Sequence, residues 1–323
     1  MPKAIRIHQT GGPEVLRLEE VPAGEPGPGE ARVRHGAIGV NFVDVYQRSG
    51  LYPLELPSGL GVEGAGKVEA VGPGVKDVRP GDRVAYMAGP GSYAEVRVLP
   101  ADRLVKLPDG VSDATAAALM LKGLTVHSLV RRAYPVKPGD TVLWHAAAGG
   151  VGLIAVQWLK ALGATVIGTV GSDEKAALAR ARGCDHVIVY TREDFVARVR
   201  DITKGAGVPV VYDSVGKATF DGSLDCLRPL GTMVTFGNAS GPVPPVAPVT
   251  LTQKGSLFLT RPTVFHYVAT RPNLLAAAEE TFALVRAGKI KVRIAGRWPL
   301  AEAAAAQTAL AGRQTTGSLV LVP

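Results

Sequence analysis

The stretch His145-Ala-Ala-Ala-Gly-Gly-Val-Gly152 decides the fold. Before it runs Asp140-Thr-Val-Leu-Trp144, whose β-branched and aromatic residues read as a buried strand. After it comes Leu153-Ile-Ala-Val-Gln-Trp-Leu-Lys-Ala-Leu162, an apolar helix that Gly163 stops. Strand, Gly-rich turn and helix together make a phosphate-binding corner. Glycine lets the backbone approach a pyrophosphate, and the helix N-terminus offers open N–H groups and the positive end of its dipole. The pattern is Gly150-x-Gly152-x-x-Ala155. Gly149, Gly150, Val151 and Gly152 are therefore read as the backbone cradle of a dinucleotide. Three small residues at that spacing are a weak signal alone; the strand and helix around them carry it.

Outward from this corner, strands and helices alternate. Thr165–Val170, His186–Tyr190, Val208–Asp213 and Thr232–Phe236 read as strands, and Asp173–Arg182, Glu193–Thr203 and Lys217–Cys226 as the helices between them. Such alternation predicts an α/β unit with a doubly wound parallel sheet of Rossmann type. Ser256–Thr260 is its expected last strand, at an edge. Upstream the texture is different. Ala4–His8 and Val15–Leu18 flank Gly11-Gly12-Pro13 as a hairpin; Glu30–Val40, Gly66–Gly72 and Asp82–Tyr86 follow as strands between Gly/Pro turns. This predicts a compact, barrel-like β domain over residues 1–120, with a nucleotide domain over 121–262. The tail carries helices Asn273–Ala287 and Ala301–Leu310 and a strand Gly317–Val322, too little for a third domain. It is expected to return and complete the first.

Composition bounds the rest. The chain has 323 residues, 46% hydrophobic and 20% charged, with a net charge of +8 from 36 basic and 28 acidic side chains. Those proportions are those of a soluble globular protein large enough for two cores. The basic residues are scattered rather than clustered, which argues against nucleic acid as the main ligand. Cys184 and Cys226 are too few for a disulfide framework or a four-cysteine zinc lobe, and are expected as buried thiols. There is no signal-peptide pattern and no apolar stretch of membrane-spanning length, so a cytoplasmic protein without membrane insertion is expected.

The residues after the second sheet strand speak to the cofactor. An NAD site places an acid about 20 residues past the glycines, on the ribose 2′-hydroxyl. Here the place reads Val170-Gly171-Ser172, with Lys175 three residues later and Tyr190 at the end of the next strand. Gly171 and Ser172 offer N–H and hydroxyl donors and Lys175 a positive charge, a set suited to a 2′-phosphate and hence to NADPH. An ordinary surface lysine is the alternative for Lys175, although a helix's first turn does not favour a cation.

The chain resembles the medium-chain dehydrogenase/reductase superfamily, and within it the zinc-free NADPH:quinone oxidoreductases related to zeta-crystallin. The resemblance rests on Gly11-Gly-Pro-Glu-Val-Leu16, Gly39-Val-Asn-Phe-Val-Asp44, Tyr46-Gln-Arg-Ser-Gly-Leu-Tyr-Pro53, Gly61-Val-Glu-Gly-Ala-Gly66, Leu121-Lys-Gly-Leu-Thr125, the Gly-rich turn, Tyr212-Asp-Ser-Val-Gly216 and Phe236-Gly-Asn238. It runs from Ile5 to the C-terminus. It implies that the β-rich domain is GroES-like, that NADPH lies in a crevice between the domains, and that the protein is a homodimer through the edge strand Ser256–Thr260. Zinc-dependent members resemble this chain with Cys, His and Cys where it has Asn41, Val62 and Leu121. Asn, Val and Leu cannot make a catalytic zinc site, and without a Lewis acid alcohol oxidation is disfavoured. A quinone is electron-poor already, and holding it against the nicotinamide can suffice.

By the same resemblance Asn41, Tyr46 and Tyr52 are cleft residues. Asn41 is expected on the nicotinamide amide or a quinone oxygen, and the tyrosines offer a stacking face and a hydroxyl donor. Half-buried tyrosines of a β domain are the competing reading. Asp44 is read as bracing its loop, Glu63 as near the vacant metal position, and His145 as packed rather than catalytic. Thr125 is expected near the nicotinamide, Phe265 over it, and Arg313, in Gly312-Arg-Gln-Thr-Thr-Gly317, near the adenine 2′-phosphate. Phe236, Gly237 and Asn238 end the fifth sheet strand and Ser214 and Gly216 follow the fourth, where carboxyl ends of parallel strands meet ligand; simple turn chemistry is the alternative for the last two. Within the superfamily an NADPH-dependent 2-alkenal or enone reductase is the second expectation. An NADPH-binding structural or RNA-binding protein is the third.

Overall fold

The computed structural model describes residues 1–313 and 315–323, and the chain divides into two compact units. Unit 1 is Met1–Leu124, Thr270–Phe282 and Val292–Pro323; unit 2 is Thr125–Ala269 with Ala283–Lys291.

In unit 1, β1 (Lys3–Ile7) pairs antiparallel with β2 (Arg17–Glu20), with a 3-10 turn at Pro13–Val15 in the connection. β3 (Glu30–Val40) is the organising strand. It is followed by α1 (Phe42–Arg48), β4 (Ser58–Gly59), β5 (Glu63–Val71), β6 (Arg83–Met87), β7 (Val96–Pro100), β8 (Leu104–Lys106), α2 (Asp113–Ala117) and α3 (Met120–His127). β3 pairs along its length with β5 and its first half pairs with β7. Two register shifts, at Arg32/Val33 and His35/Ala37, let the strand bend as bulges do. Val33, Val68, Val84, Tyr86, Leu99 and Leu104 form one core cluster. His35 is buried there between Tyr86 Oη and the Ala94 carbonyl, each at 2.6 Å. Loss of hydration pushes its pKa down to about 4.

Unit 2 begins in α3 and continues through a π-helical turn, Ser128–Ala133, into β9 (Thr141–Trp144). Then come α4 (Gly150–Ala161), β10 (Thr165–Val170), α5 (Asp173–Ala181), β11 (His186–Val189), α6 (Phe195–Ile202), β12 (Val208–Asp213), α7 (Phe220–Asp225), β13 (Leu227–Thr235), α8 (Pro248–Gln253), β14 (Phe258–Thr260) and α9 (Val264–Tyr267). The strands are parallel in the order β11-β10-β9-β12-β13-β14. That is the doubly wound arrangement in which the sheet reverses beside its first strand. The reversal lies between β9 and β12, so the Gly-rich turn leaves β9 at the switch point. β14 is the edge strand, as expected. Leu143, Ile167, Ile188, Val211 and Met233 carry the core of the sheet, together with Cys226. Both cysteines are buried, and desolvation pushes each thiol up to about 12.

The tail differs from expectation in one respect. α10 (Arg271–Arg286), β15 (Ile294–Pro299), α11 (Ala303–Ala311) and β16 (Ser318–Val322) follow α9. β16 pairs antiparallel with the end of β3 and parallel with β15, completing the β-rich unit. Residues 263–269 and Ala283–Lys291, however, belong to unit 2. The second of these is held by Gln157 on α4: its amide donates to the Lys291 carbonyl at 3.3 Å and accepts the Lys291 N–H at 2.9 Å. Two of the four boundaries fall inside helices, at Leu124/Thr125 in α3 and at Phe282/Ala283 in α10. Among the described residues no helix is long and apolar enough to cross a membrane.

Candidate functional site

The predicted nucleotide residues gather at the carboxyl ends of the unit 2 strands. Ala146, at φ 56°, turns the chain left-handed after β9, and its carbonyl accepts the Gly149 N–H at 2.9 Å. Gly149 is the N-cap of α4, and Gly150, Val151 and Gly152 form its first turn. A Cβ on Gly152 would lie 2.3 Å from the Ala146 carbonyl oxygen, so this glycine lets the helix seat against the turn. The first-turn N–H groups of α4 are ones an α-helix leaves without internal acceptors, a geometry that suits an anion.

At the end of β10, Gly171, Ser172, Lys175 and Tyr190 come together. Ser172 caps α5 by accepting the Lys175 N–H. A Cβ on Gly171 would stand 2.9 Å from the Tyr190 hydroxyl, which places that ring against the glycine. The sequence reading left out Asp173, the acid next to Ser172. Both its oxygens are held by Arg192, at 2.7 and 2.5 Å, and the guanidinium keeps its carboxyl below the ordinary range. Asp173 is thus paired, while Glu174 follows it in the same first turn beside Lys175.

Ser214 and Gly216 follow β12, and Phe236, Gly237 and Asn238 follow β13. The loops are packed backbone to backbone: a Cβ on Gly237 would meet the Ser214 carbonyl at 2.4 Å, and one on Gly216 the Gly241 carbonyl at 2.6 Å. Phe236 packs on Trp144, ring centroids 5.6 Å apart. Thr125 is half-buried on α3, and Phe265 is 38% exposed on α9.

The organiser of this region is Asp213, to which the sequence reading gave no role. It is fully buried and accepts four bonds: Val215 N–H at 2.7 Å, Gly216 N–H at 3.1 Å, Thr219 Oγ1 at 2.7 Å and Ser223 Oγ at 3.2 Å. Ser223 Oγ also lies 2.9 Å from His145 Nε2, and His145 Nδ1 lies 2.9 Å from Thr169 Oγ1. Desolvation pushes the His145 pKa down. His145 is a core residue that ties β10 to α7, as expected for a packed histidine.

Unit 1 holds the other predicted residues: Asn41, Tyr46, Tyr52 and Arg313. Arg313 is exposed in the turn after α11. Tyr46, on α1, and Tyr52 meet edge to face, 5.2 Å between centroids, and the Tyr52 N–H donates to the Tyr46 carbonyl at 3.0 Å. The stretch from Phe42 to Arg48 was not read as a helix from sequence. Asn41 is its N-cap, and Asp44 accepts the Asn41 N–H and the Tyr93 hydroxyl, both at 2.8 Å. Burial pushes the Asp44 pKa up to about 7. Its contacts are those of the brace expected.

The Asn41 side chain is not idle surface. It is 6% exposed, donates through Nδ2 to Glu63 Oε1 at 2.8 Å, and accepts at Oδ1 from Lys122 Nζ at 2.7 Å. Lys122 Nζ also reaches Glu63 Oε1 at 3.0 Å, and Glu63 Oε2 accepts the Leu121 N–H at 2.6 Å. Lys122 was overlooked because one lysine in Leu121-Lys-Gly-Leu carries no sequence signal of burial.

Comparison with known proteins adds the following. A family model described as zinc-binding dehydrogenase matches residues 150–283, and one described as alcohol dehydrogenase GroES-like domain matches residues 27–109. The chain is 55% identical to a quinone oxidoreductase of Pseudomonas aeruginosa, over all of both chains. It is 49% identical to a 2-haloacrylate reductase of Burkholderia sp., over 100% of this chain and 99% of that one. The crystal structure of Escherichia coli quinone oxidoreductase complexed with NADPH matches with a TM-score of 0.98 at 50% identity, covering 99% of this chain and 100% of that one.

Zinc, named in one of those descriptions, does not fit the residues present. The positions that the sequence resemblance sets against zinc ligands are Asn41, whose amide is engaged by Glu63 and Lys122, and the buried apolar Val62 and Leu121. The Lys122 ammonium, 3.0 Å from the Glu63 carboxylate, already supplies a positive charge there. None of the three positions offers thiolate, imidazole or carboxylate.

Proposed function

The chain belongs to the quinone oxidoreductase family of medium-chain dehydrogenases/reductases, and from that premise we propose that it is an NADPH-dependent quinone reductase working without zinc. The observation that carries the cofactor half is the cluster of Gly171, Ser172, Lys175 and Tyr190, in which no acid stands at Gly171-Ser172 and Asp173, the first acid after it, is paired with Arg192. NADPH, when bound, supplies the hydride. The N–H groups of the α4 first turn hold its pyrophosphate. Ser172 and Lys175 hold the 2′-phosphate, the Ser214–Gly216 loop borders the adenine, and Phe236, Gly237, Asn238, Thr125 and Phe265 border the nicotinamide. Arg313, in unit 1, carries a positive charge of the kind a phosphate takes. In unit 1 Tyr46 and Tyr52 give the acceptor ring an aromatic face and hydroxyl donors, and Asn41 gives its oxygen an amide N–H.

A second reading has one specific support, the 2-haloacrylate reductase at 49% identity. In that reading the acceptor is an electron-poor alkene, and a tyrosine hydroxyl protonates its α-carbon. A panel of quinones and enones, with NADPH absorbance followed, separates the two. Faster turnover with quinones, and NADPH bound at least about tenfold more tightly than NADH, is the expected result, tenfold being about 1.4 kcal/mol. Faster turnover with enones supports the second reading. Equal affinity for the two nucleotides removes Lys175 and Tyr190 from the site.

We also propose a homodimer formed by antiparallel pairing of β14 with its copy. β14 has one neighbour in the sheet, and Phe258 on it is 61% exposed. A sheet edge carrying an exposed aromatic residue can recruit a second strand. Sedimentation should give twice the 33.6 kDa chain mass, and Phe258→Asp should give the chain mass itself. A monomer before substitution removes the proposal.

A further inference from the structure

The place where the metal-dependent relatives resemble this chain with zinc ligands is built here as a closed ring of three buried side chains. Lys122 Nζ donates to Asn41 Oδ1 at 2.7 Å and to Glu63 Oε1 at 3.0 Å, and Asn41 Nδ2 donates to the same Glu63 oxygen at 2.8 Å. Glu63 is fully buried, Lys122 is 5% exposed and Asn41 6%. The chain makes room for this ring. A Cβ on Gly39 would stand 2.2 Å from Glu63 Oε1, and the Leu121 N–H fixes the other carboxylate oxygen.

The chemistry of the three groups leaves one arrangement. An ammonium only donates and a carboxylate only accepts, so the amide must turn its oxygen to Lys122 and its nitrogen to Glu63. Nδ2 carries two hydrogens and Glu63 takes one. The second is therefore set in a fixed direction, and the amide cannot flip to present its oxygen. The charge on Lys122 also draws electrons from Oδ1, which makes the remaining N–H a stronger donor.

We propose that Lys122 and Glu63 are positioning residues for acceptor reduction: the ion pair orients and polarises Asn41 so that its second Nδ2–H receives the oxygen on which negative charge develops. The protein thereby replaces a bound metal ion with an internal cation acting through an amide. The inference rests on the reading above that Asn41 contacts the acceptor. It adds that Asn41 is a donor only, and that its donor strength is set by a residue which does not touch the acceptor.

The test uses the full chain with NADPH and a quinone panel. It compares the unaltered protein with Lys122→Met, Lys122→Arg, Asn41→Ala, Asn41→Ala with Lys122→Met, and the charge-neutral pair Glu63→Gln with Lys122→Met. NADPH affinity and thermal unfolding report whether each variant is folded; the charge-neutral pair serves if Lys122→Met alone is not. Lys122→Met should lower kcat about 10- to 100-fold, the range for residues that orient a reacting group from behind it, with NADPH affinity unchanged. Lys122→Arg should recover part of the loss. The double variant should be no slower than Asn41→Ala alone, because both act through one N–H. Independently of turnover, the Asn41 side-chain amide signals in a nitrogen-15 spectrum, identified by their loss in Asn41→Ala, should exchange slowly in the unaltered protein and quickly in Lys122→Met or the charge-neutral pair. Unchanged amide exchange overturns the clamp, and additive losses or an unchanged kcat overturn its role in reduction. If the unaltered protein reduces no quinone, the quinone reading falls, and the amide signals still decide the clamp.

Discussion

Replacing Gly152 with alanine is expected to weaken NADPH binding by at least about 100-fold, or about 2.7 kcal/mol. The new Cβ would stand 2.3 Å from the Ala146 carbonyl oxygen and 2.8 Å from two Ala147 backbone atoms. All three belong to backbone that cannot rotate away. The turn is fixed from behind, since the Ala147 N–H is held by the Thr169 carbonyl at 3.0 Å and Ala146 already sits at positive φ. Relief must come from α4, and shifting α4 moves the N–H groups aimed at the pyrophosphate. Overpacking of this kind costs a further 1–3 kcal/mol or so of stability. Gly149→Ala is the control. Gly149 has φ −75°, and its Cβ would meet only the Ala146 carbonyl, at 3.2 Å. It should keep the melting temperature of the unaltered protein. Fluorescence titration with NADPH decides the matter: an affinity for Gly152→Ala within about threefold of normal, less than 1 kcal/mol, would show that the helix seat is not what holds the pyrophosphate.

Much of this arrangement was legible in the sequence because its signals are local. The strand-turn-helix around Gly149–Gly152, the absence of a carboxylate at Gly171-Ser172 and the edge position of Phe258–Thr260 all follow from patterns within a few residues of one another. Period-two alternation placed β3 from Glu30 to Val40 without error. What the sequence hid was set by pairing across long separations. β15 alternates only between exposed and half-buried residues, so hydrophobicity does not mark it; β16 makes it a strand by pairing with it. Ala283–Lys291 belongs to unit 2, where Gln157, far upstream, bonds the Lys291 backbone. Lys122 and Glu63 read as an ordinary lysine and an ordinary acid, and their burial as a pair is visible only in three dimensions.

Asp213 is the extreme case, and its removal should have a large effect on stability. Asp213→Ala leaves four donors without their acceptor: the Val215 and Gly216 N–H groups and the hydroxyls of Thr219 and Ser223. Each unsatisfied buried donor costs about 1–3 kcal/mol, more where the lost partner was charged, and the losses are not additive. Ser223 can fall back on the Thr219 carbonyl at 2.7 Å, and Thr219 on the Gly216 carbonyl at 3.3 Å, so the two N–H groups dominate. A net loss of roughly 3–5 kcal/mol follows, lowering the melting temperature by about 2–4 °C for each kcal/mol in a domain of 150–250 residues. The loss reaches the ligand too. Those two N–H groups belong to the loop that carries Ser214 and Gly216, and that loop packs through the Ser214 carbonyl against Gly237. Releasing it should loosen the adenine and nicotinamide borders together, so NADPH affinity should fall even at temperatures where the variant is fully folded. Asp213→Asn separates the two consequences. Its amide oxygen can still accept from Val215 and Gly216, while its NH2 faces the hydroxyls, which can turn to accept. It should recover most of the affinity and only part of the stability. If Asp213→Ala melts within about 2 °C of the unaltered protein, a shift of less than 1 kcal/mol, the four bonds are not what fixes this loop, and the packing of glycines against carbonyls must hold it alone.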